Sequence, residues 1–134
     1  MTWLWVMFAG GVGSVLRYLL VLGHEAFLRA RRQPVPSDEE IIPTVSGTFV
    51  VNVVGAVVMG AVVAATGSME AQPVVTTGLL GGFTTFSAAS LETAQDVRAR
   101  RWARVVAVPL AMMIACLLGF WLGVMAVRSI PPMG

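Results

Sequence analysis

The stretch Thr77-Gly-Leu-Leu-Gly-Gly-Phe-Thr-Thr-Phe-Ser87 decides the fold, because it places two adjacent glycines and a run of hydroxyls inside an otherwise apolar segment. Glycine is a poor helix former, so Gly81-Gly82 predicts an interruption of the helix. In hydrocarbon, the N–H and C=O groups that an interruption releases are tolerated only where they face protein, an ion or water. The stretch therefore predicts a broken membrane helix that carries a binding site.

The composition around this stretch is typical of a membrane protein. Of 134 residues, 57% are hydrophobic and 12% are charged, whereas soluble domains carry about 25% charged residues. Nine arginines, with no lysine, oppose seven acids and cluster between the apolar segments. Such a distribution favours a role in membrane orientation over nucleic-acid binding. Cys116 is the only cysteine, so no disulfide can form within the chain.

Four apolar runs are long enough to cross a bilayer, which takes about 20 residues in a helix. They lie near residues 3–22, 45–66, 74–95 and 105–127, and they predict one all-α membrane domain over residues 1–134. A polar loop at 23–44, a turn at 67–70 and a basic run at 98–104 are expected to connect them. The first run has no basic region before it and is too long for a signal peptide, so it is interpreted as a retained span.

The arginines predict one orientation of the chain in the plasma membrane. The two loops on one side carry seven arginines, whereas the opposite side carries Arg128 alone. By the positive-inside rule, both termini are expected outside and the basic loops in the cytoplasm. Because the two halves show no repeat, any symmetry that a pore requires must come from oligomerisation. Small residues such as those of Gly119-Phe-Trp-Leu-Gly123 permit close helix packing, either between subunits or within one chain.

Polar side chains accompany the predicted break. Thr48 and Asn52 are four residues apart on the second span, so their hydroxyl and amide share one face. An interhelical hydrogen bond is one interpretation of Asn52, and a polar pathway is the favoured one beside the hydroxyl-rich break. Arg17 either extends to the cytoplasmic edge of the membrane or acts as a structural or vestibule charge. Glu92 lies about two turns beyond the break. It is interpreted either as a structural or vestibule charge or as a charge near the membrane interface.

The groups at the break suit two kinds of ion. Freed carbonyl oxygens from Gly81 to Thr84 are hard acceptors for a small cation such as sodium. Backbone N–H groups, the Ser87 hydroxyl, the Asn52 amide and the positive edge of the Phe86 ring suit an anion. The chain has a single histidine, and no nucleophile, base and orienting group can be assembled around it. The protein is therefore not expected to be an enzyme.

Three motifs, in this order, resemble the CrcB/Fluc family of fluoride channels. They are Gly10-Gly-Val-Gly-Ser-Val-Leu-Arg-Tyr18, Gly47-Thr-Phe-Val-Val-Asn-Val-Val-Gly55 and Thr76-Thr-Gly-Leu-Leu-Gly-Gly-Phe-Thr-Thr-Phe-Ser87. The resemblance covers most of the chain. It implies a passive fluoride exporter of the bacterial inner membrane, built as an antiparallel dimer of four-helix subunits. Two narrow pores and a structural sodium ion at the dimer centre are also implied.

The resemblance assigns roles to residues of this chain. Gly81 and Thr84 would offer backbone carbonyl oxygens to sodium. Asn52 would donate to fluoride at the inner end of a pore, and Phe86 would present ring edges along it. Further matches to the family are the polar pathway positions Thr48, Thr85 and Ser87 and the structural or vestibule charges Arg17 and Glu92.

Three features depart from the family pattern. The family continues with Thr-Phe-Ser where this chain has Ala88-Ala89-Ser90, so the second pore phenylalanine is missing at Ala89. The fourth span lacks the serines and threonines of the family's polar track. The arginine bias conflicts with dual topology, in which one gene product inserts both ways. Together these departures favour a heterodimer with an oppositely oriented paralogue over a homodimer. In the family, each pore takes its two phenylalanines from different subunits, so this chain would still supply Phe86 to one pore.

Two other functions remain open. A small multidrug-type proton-coupled exporter also has four spans, but it requires a membrane-embedded carboxylate, which the first span lacks. A non-conducting scaffold subunit explains the small-residue packing but not the break beside Asn52. The expected partners are therefore fluoride, membrane lipid and a second subunit.

Overall fold

Four membrane-spanning helices dominate the computed structural model, which describes residues 2–31, 47–68 and 72–129. The first two are α1 (Thr2–Arg31) and α2 (Gly47–Thr66). The third span consists of a π-helical segment (Val74–Leu80), the short α3 (Gly81–Phe83) and α4 (Phe86–Arg98), and the fourth is α5 (Trp102–Arg128). The spans long and apolar enough to cross a membrane are Thr2–His24, Gly47–Thr66, Val74–Arg98 and Trp102–Arg128. The chain is thus an all-helical, multi-pass plasma membrane protein, as the sequence predicts.

Several helices extend beyond their apolar runs. α1 continues past residue 22 to Arg31, so the first part of the predicted polar loop is helical. α4 reaches Arg98 and α5 begins at Trp102, which reduces the predicted basic connection to a short turn. A helix continues out of the hydrocarbon readily, because its backbone hydrogen bonds lie within the segment itself. Residues 32–46 and 69–71 lie outside the described residues, and with them the Asp38-Glu39-Glu40 run and most of the predicted turn at 67–70.

Asp96 stabilises the turn between α4 and α5. Its Oδ2 lies 3.4 Å from Arg104 Nε, and its Oδ1 lies 3.9 Å from Arg101 Nη1. Arg100 closes the turn in the left-handed region, with φ of 55°. Two of the basic residues of this connection, Arg101 and Arg104, are therefore paired with an acid in the last turn of α4.

The helices pack as two close pairs. α2 packs chiefly against α5, and α1 packs chiefly against the π-helical segment and α3. Beyond the break, α4 packs against α5 instead of α1. The break therefore lets the two halves of the third span contact different neighbours.

Glycines bring the backbones of α1 and the third span together. A methyl group at Gly82 would overlap the carbonyl oxygen of Gly10, and one at Gly13 would overlap that of Leu79. In membranes, small residues at such crossings allow the helix backbones to approach closely. This pair fixes the part of the third span that precedes the break.

The second pair uses glycines in the same way. A methyl group at Gly60 would overlap the Phe120 carbonyl oxygen, and one at Gly123 would overlap that of Val57. The motif from Gly119 to Gly123 therefore faces α2 of the same chain. Of the two uses left open by the sequence, the structure assigns this motif to packing within the chain.

Candidate ion site at the helix break

The third span is interrupted at Thr84 and Thr85, which lie beyond the glycine pair where the break was predicted. Gly81 is helical, with φ of −63° and ψ of −38°. Thr84 has ψ of 153° and Thr85 has φ of −149° and ψ of 125°, so both are extended. The predicted position was wrong because Gly81 and Gly82 stay helical, and Gly82 packs against α1. Packing of this kind outweighs the low helix propensity of glycine.

Asn52 of α2 holds the break open by bonding to both backbone groups of one residue. The Thr85 N–H donates to Asn52 Oδ1 at 2.9 Å, and Asn52 Nδ2 donates to the Thr85 carbonyl oxygen at 3.2 Å. In an uninterrupted α-helix, the Thr85 N–H would donate to the Gly81 carbonyl oxygen. The Asn52 side chain, which is 8% exposed, therefore replaces a helical acceptor and releases the Gly81 carbonyl.

α4 begins at the break with a hydroxyl cap. Thr85 Oγ1 accepts a hydrogen bond from the Ala88 N–H at 3.4 Å and lies 2.9 Å from Ser87 Oγ. The first N–H groups of a helix have no partner within it. They give the helix start a partial positive charge of about +0.5. The start of α4, inside a membrane span, therefore favours an anion.

The other side of the break presents carbonyl oxygens. Ser14 Oγ of α1 donates to the Gly82 carbonyl oxygen at 3.3 Å, and Thr84 Oγ1 donates to that of Leu80 at 3.0 Å. The carbonyl end of a helix carries a partial negative charge, and carbonyl oxygens are the hard ligands that small cations prefer. The released Gly81 carbonyl is therefore of the ligand type that a sodium ion accepts. Gly81 and Thr84 as its ligands stay a prediction.

A groove of about 610 Å³ lies against the break and is bounded by α2, α4 and α5. Its polar groups come from Asn52, Thr84 and Thr85, and Phe86 and Ala89 add the first turns of α4. Phe86 is 87% exposed, so its ring is free to contact an ion or a second subunit. No carboxylate lines the groove among the described residues. The remaining lining is apolar apart from Cys116 and comes from α2 and α5.

The other predicted residues lie away from this groove. Thr48 is buried one turn before Asn52 on α2. Arg17 is half-buried on α1, and Glu92 is half-buried on α4. Gly81 is exposed. The structure thus brings Asn52, Thr84, Thr85 and Phe86 to one groove, with Ser87 bonded to Thr85, and leaves the two charges outside it.

Sequence reasoning missed two contacts at this site. Met112 of α5 accepts a hydrogen bond from Asn52 Nδ2, with the nitrogen 3.3 Å from its sulfur. The Ser14 hydroxyl bonds to the span before the break. A signal for Ser14 existed, since it is a hydroxyl among the glycines of the first motif. Met112 gave no signal, because methionine is common in the apolar core.

These features define a class of protein: a small multi-pass membrane protein with a discontinuous helix and a candidate ion site beside it. Ion and substrate sites of transport proteins are commonly built from such interrupted helices. The polar groups of the groove are a side-chain amide, hydroxyls and backbone atoms, which can bind an ion without covalent chemistry.

The chain belongs to the family described as CrcB-like protein, Camphor Resistance (CrcB), whose model matches residues 4–124. It is 36% identical over 135 residues to fluoride-specific ion channel FluC 1 of Leifsonia xyli subsp. xyli, covering 95% of this chain and 90% of that protein. Fluoride-specific ion channel FluC of Geobacter sulfurreducens is 37% identical over 126 residues, covering 90% of this chain and 92% of that protein. Fluoride-specific ion channel FluC 2 of Cutibacterium acnes is 39% identical over 100 residues, covering 71% of this chain and 72% of that protein. The family expected from the three motifs is confirmed.

Proposed function

We propose that the chain is a subunit of a fluoride-selective channel through which fluoride leaves the cytoplasm passively. The observation that carries this proposal is the Asn52 bridge to Thr85, which opens the third span beside the start of α4. The names of the relatives, each a fluoride-specific ion channel, support fluoride as the ion. The matched family region includes all three motifs.

The chemistry of the groove suits a small anion. Fluoride is strongly hydrated, so a pore must replace its water with closely placed donors. The Asn52 amide, the Ser87 hydroxyl and the N–H groups at the start of α4 are such donors. The edge of the exposed Phe86 ring carries positive partial charge and adds a weaker contact. These groups lie on α2 and at the start of α4, on the side of the break opposite the carbonyl oxygens.

A structural sodium ion fits the carbonyl side of the same break. Gly81 and Thr84 would hold it through backbone oxygens, since Asn52 withdraws the Thr85 N–H that would otherwise occupy the Gly81 carbonyl. When bound, the ion supplies a positive charge that balances the carbonyl end of α3. The break would thereby keep its shape while the opposite side of it accepts an anion.

We further propose that a second, oppositely oriented subunit completes the pathway. The Phe86 ring is 87% exposed within a membrane span, so it is available for contact with another subunit. Ala89 lines the groove where the family places a second phenylalanine. This gap, together with the excess of arginine on one side, supports a paralogue as the partner instead of a second copy.

Passive export follows from the charge of the ion. Hydrogen fluoride crosses membranes uncharged and dissociates in a more neutral cytoplasm. The anion is then driven outward by the membrane potential, which contributes about 2.3 kcal/mol per charge per 100 mV. The absence of a carboxylate from the described lining of the groove weighs against a proton-coupled exporter.

Growth of a fluoride-sensitive bacterial host tests the proposal. The chain is expressed alone and with an oppositely biased paralogue, at fluoride concentrations that stop the empty host. We expect rescue in at least one arm and none with Asn52→Ala at the same membrane level. Rescue by the chain alone would reject the heterodimer and keep the channel. Absence of rescue in both arms, with the protein inserted, would reject the channel and favour the scaffold.

A further inference from the structure

All donors of the Asn52 amide already have partners. A carboxamide has two N–H donors and one oxygen that can accept. Oδ1 accepts from the Thr85 N–H at 2.9 Å, while Nδ2 lies 3.2 Å from the Thr85 carbonyl oxygen and 3.3 Å from Met112 Sδ. An anion that binds Asn52 must therefore displace one of these two acceptors.

The two acceptors differ in strength. The Thr85 carbonyl is a strong acceptor and belongs to the bridge that holds the break, whereas a thioether sulfur is a weak one. Displacing the sulfur leaves the bridge intact, but displacing the carbonyl removes half of it. Met112 is consequently the partner that an ion replaces at the lower cost.

Met112 is placed for this role. Its side chain and that of Asn52 are each 8% exposed, and both line the groove against the break. Methionine is unbranched and adapts its shape readily, so its sulfur can withdraw without moving α5. This contact also gives α5 a part in the site, although its segment at 105–127 contains no serine or threonine.

We propose that Met112 is a positioning residue that holds one N–H of Asn52 toward the groove and yields it to the entering fluoride ion. The inference rests on the proposed function of the groove as a fluoride pathway. The thioether satisfies a buried donor in the ion-free protein, since an unpaired buried donor is unfavourable. The Met112 sulfur also competes only weakly with a hard anion for the Asn52 N–H.

Fluoride efflux from liposomes, measured as a function of fluoride concentration, tests this role in whichever assembly conducts. Met112→Leu keeps the approximate volume but removes the acceptor, so we expect the half-saturating concentration to fall about threefold. Maximal flux of Met112→Leu should stay near that of the unmodified protein, because the Thr85 bridge is untouched.

Met113 supplies the matched control. It lines the same groove and is 55% exposed, and no hydrogen bond joins it to Asn52 within the described structure. Met113→Leu should leave the half-saturating concentration unchanged. Equal shifts at positions 112 and 113, or a half-saturating concentration that Met112→Leu leaves unchanged or raises, would overturn the inference.

Nuclear magnetic resonance separates this inference from the proposed function. Asn52 is the only asparagine of the chain, so labelling with ¹⁵N-asparagine gives one side-chain amide signal with two protons. Without fluoride, Met112→Leu should shift one of the two protons, and Met113→Leu neither. If the unmodified protein conducts no fluoride but this shift is present, the proposed function fails and the contact stands. If the amide protons do not respond to Met112→Leu, the positioning role is wrong even in a conducting channel.

Discussion

Among individual residues, Asn52 joins the structure of the break to its chemistry. Its carboxamide replaces a helical acceptor for Thr85 and also contacts Met112. Sequence alone identified Asn52, because an amide inside an apolar span needs a partner, but it did not identify the partners. These depend on which faces of α2, α4 and α5 meet, and apolar helices give no pattern from which to read this.

Replacing Asn52 by alanine should abolish selective efflux and weaken the fold. The Thr85 backbone would lose both of its partners, and each unsatisfied buried group costs about 1–3 kcal/mol. Fluoride efflux should fall to the level of protein-free liposomes, and thermal unfolding in detergent should begin at a lower temperature. Thr66→Ala is the control, since that hydroxyl bonds only to the Val62 and Ser68 carbonyls at the end of α2. Equal efflux from the Asn52→Ala variant and the unmodified protein would show that Asn52 is not part of the fluoride pathway.

Replacing Ala89 by phenylalanine should increase fluoride efflux. Ala89 lines a groove of about 610 Å³, which has room for an aromatic ring, and the new ring edges would complete the second pathway of the proposed dimer. We expect efflux per protein to rise about twofold, as expected if a second pore opens. Ala94→Phe places the same ring on an exposed position of α4 outside the groove and should have no such effect. A loss of efflux specific to Ala89→Phe would show that the alanine is required.

For the helices, the position of the break is the main lesson. Sequence placed it at Gly81-Gly82 because glycine disfavours a helix, but these glycines are helical and Gly82 packs against α1. The actual break depends on a side chain from α2, which is distant in sequence. Local helix propensity therefore predicted correctly that the third span is broken, but it gave the wrong position. A hydrogen bond from another helix decides where the break lies.

The close packing of α1 against the third span predicts that alanine destabilises the protein at Gly13 and stabilises it at Gly11. Gly13→Ala would force a methyl group into the Leu79 carbonyl oxygen, and overpacking of this kind costs about 1–3 kcal/mol. A methyl group at Gly11 meets nothing within 4 Å. Gly11→Ala should therefore stabilise the helix by about 0.5–1 kcal/mol. Thermal unfolding in detergent measures both, and equal effects at the two positions would contradict the close approach of Gly13 to Leu79.

For the complete protein, the number of spans and their class were predictable, whereas their arrangement was not. Hydropathy and length identify each membrane helix without reference to its neighbours. α2 and α5 are apolar over most of their surface, so no periodicity marks the faces that meet. The glycines predicted close contacts, but only the structure distinguishes packing within the chain from packing between subunits.

The arginine bias predicts a single orientation in the membrane. In a Cys116→Ala background, cysteines at Ala99 and Ser68 would report the two sides, since both residues are exposed in connections. A membrane-impermeant maleimide should label position 68 on intact spheroplasts and position 99 only after permeabilisation. Labelling of both positions from both sides would establish dual topology and favour a homodimer.

The most direct test of the central claim is fluoride efflux from liposomes that contain the purified chain, with and without an oppositely biased paralogue. A fluoride electrode records the release down a fluoride gradient, without a proton gradient, and chloride release serves as the control. We expect fluoride to leave and chloride to stay in at least one of the two preparations. Release of neither ion from both preparations, or equal release of both ions, would contradict the assignment of the Asn52 break as a fluoride pathway.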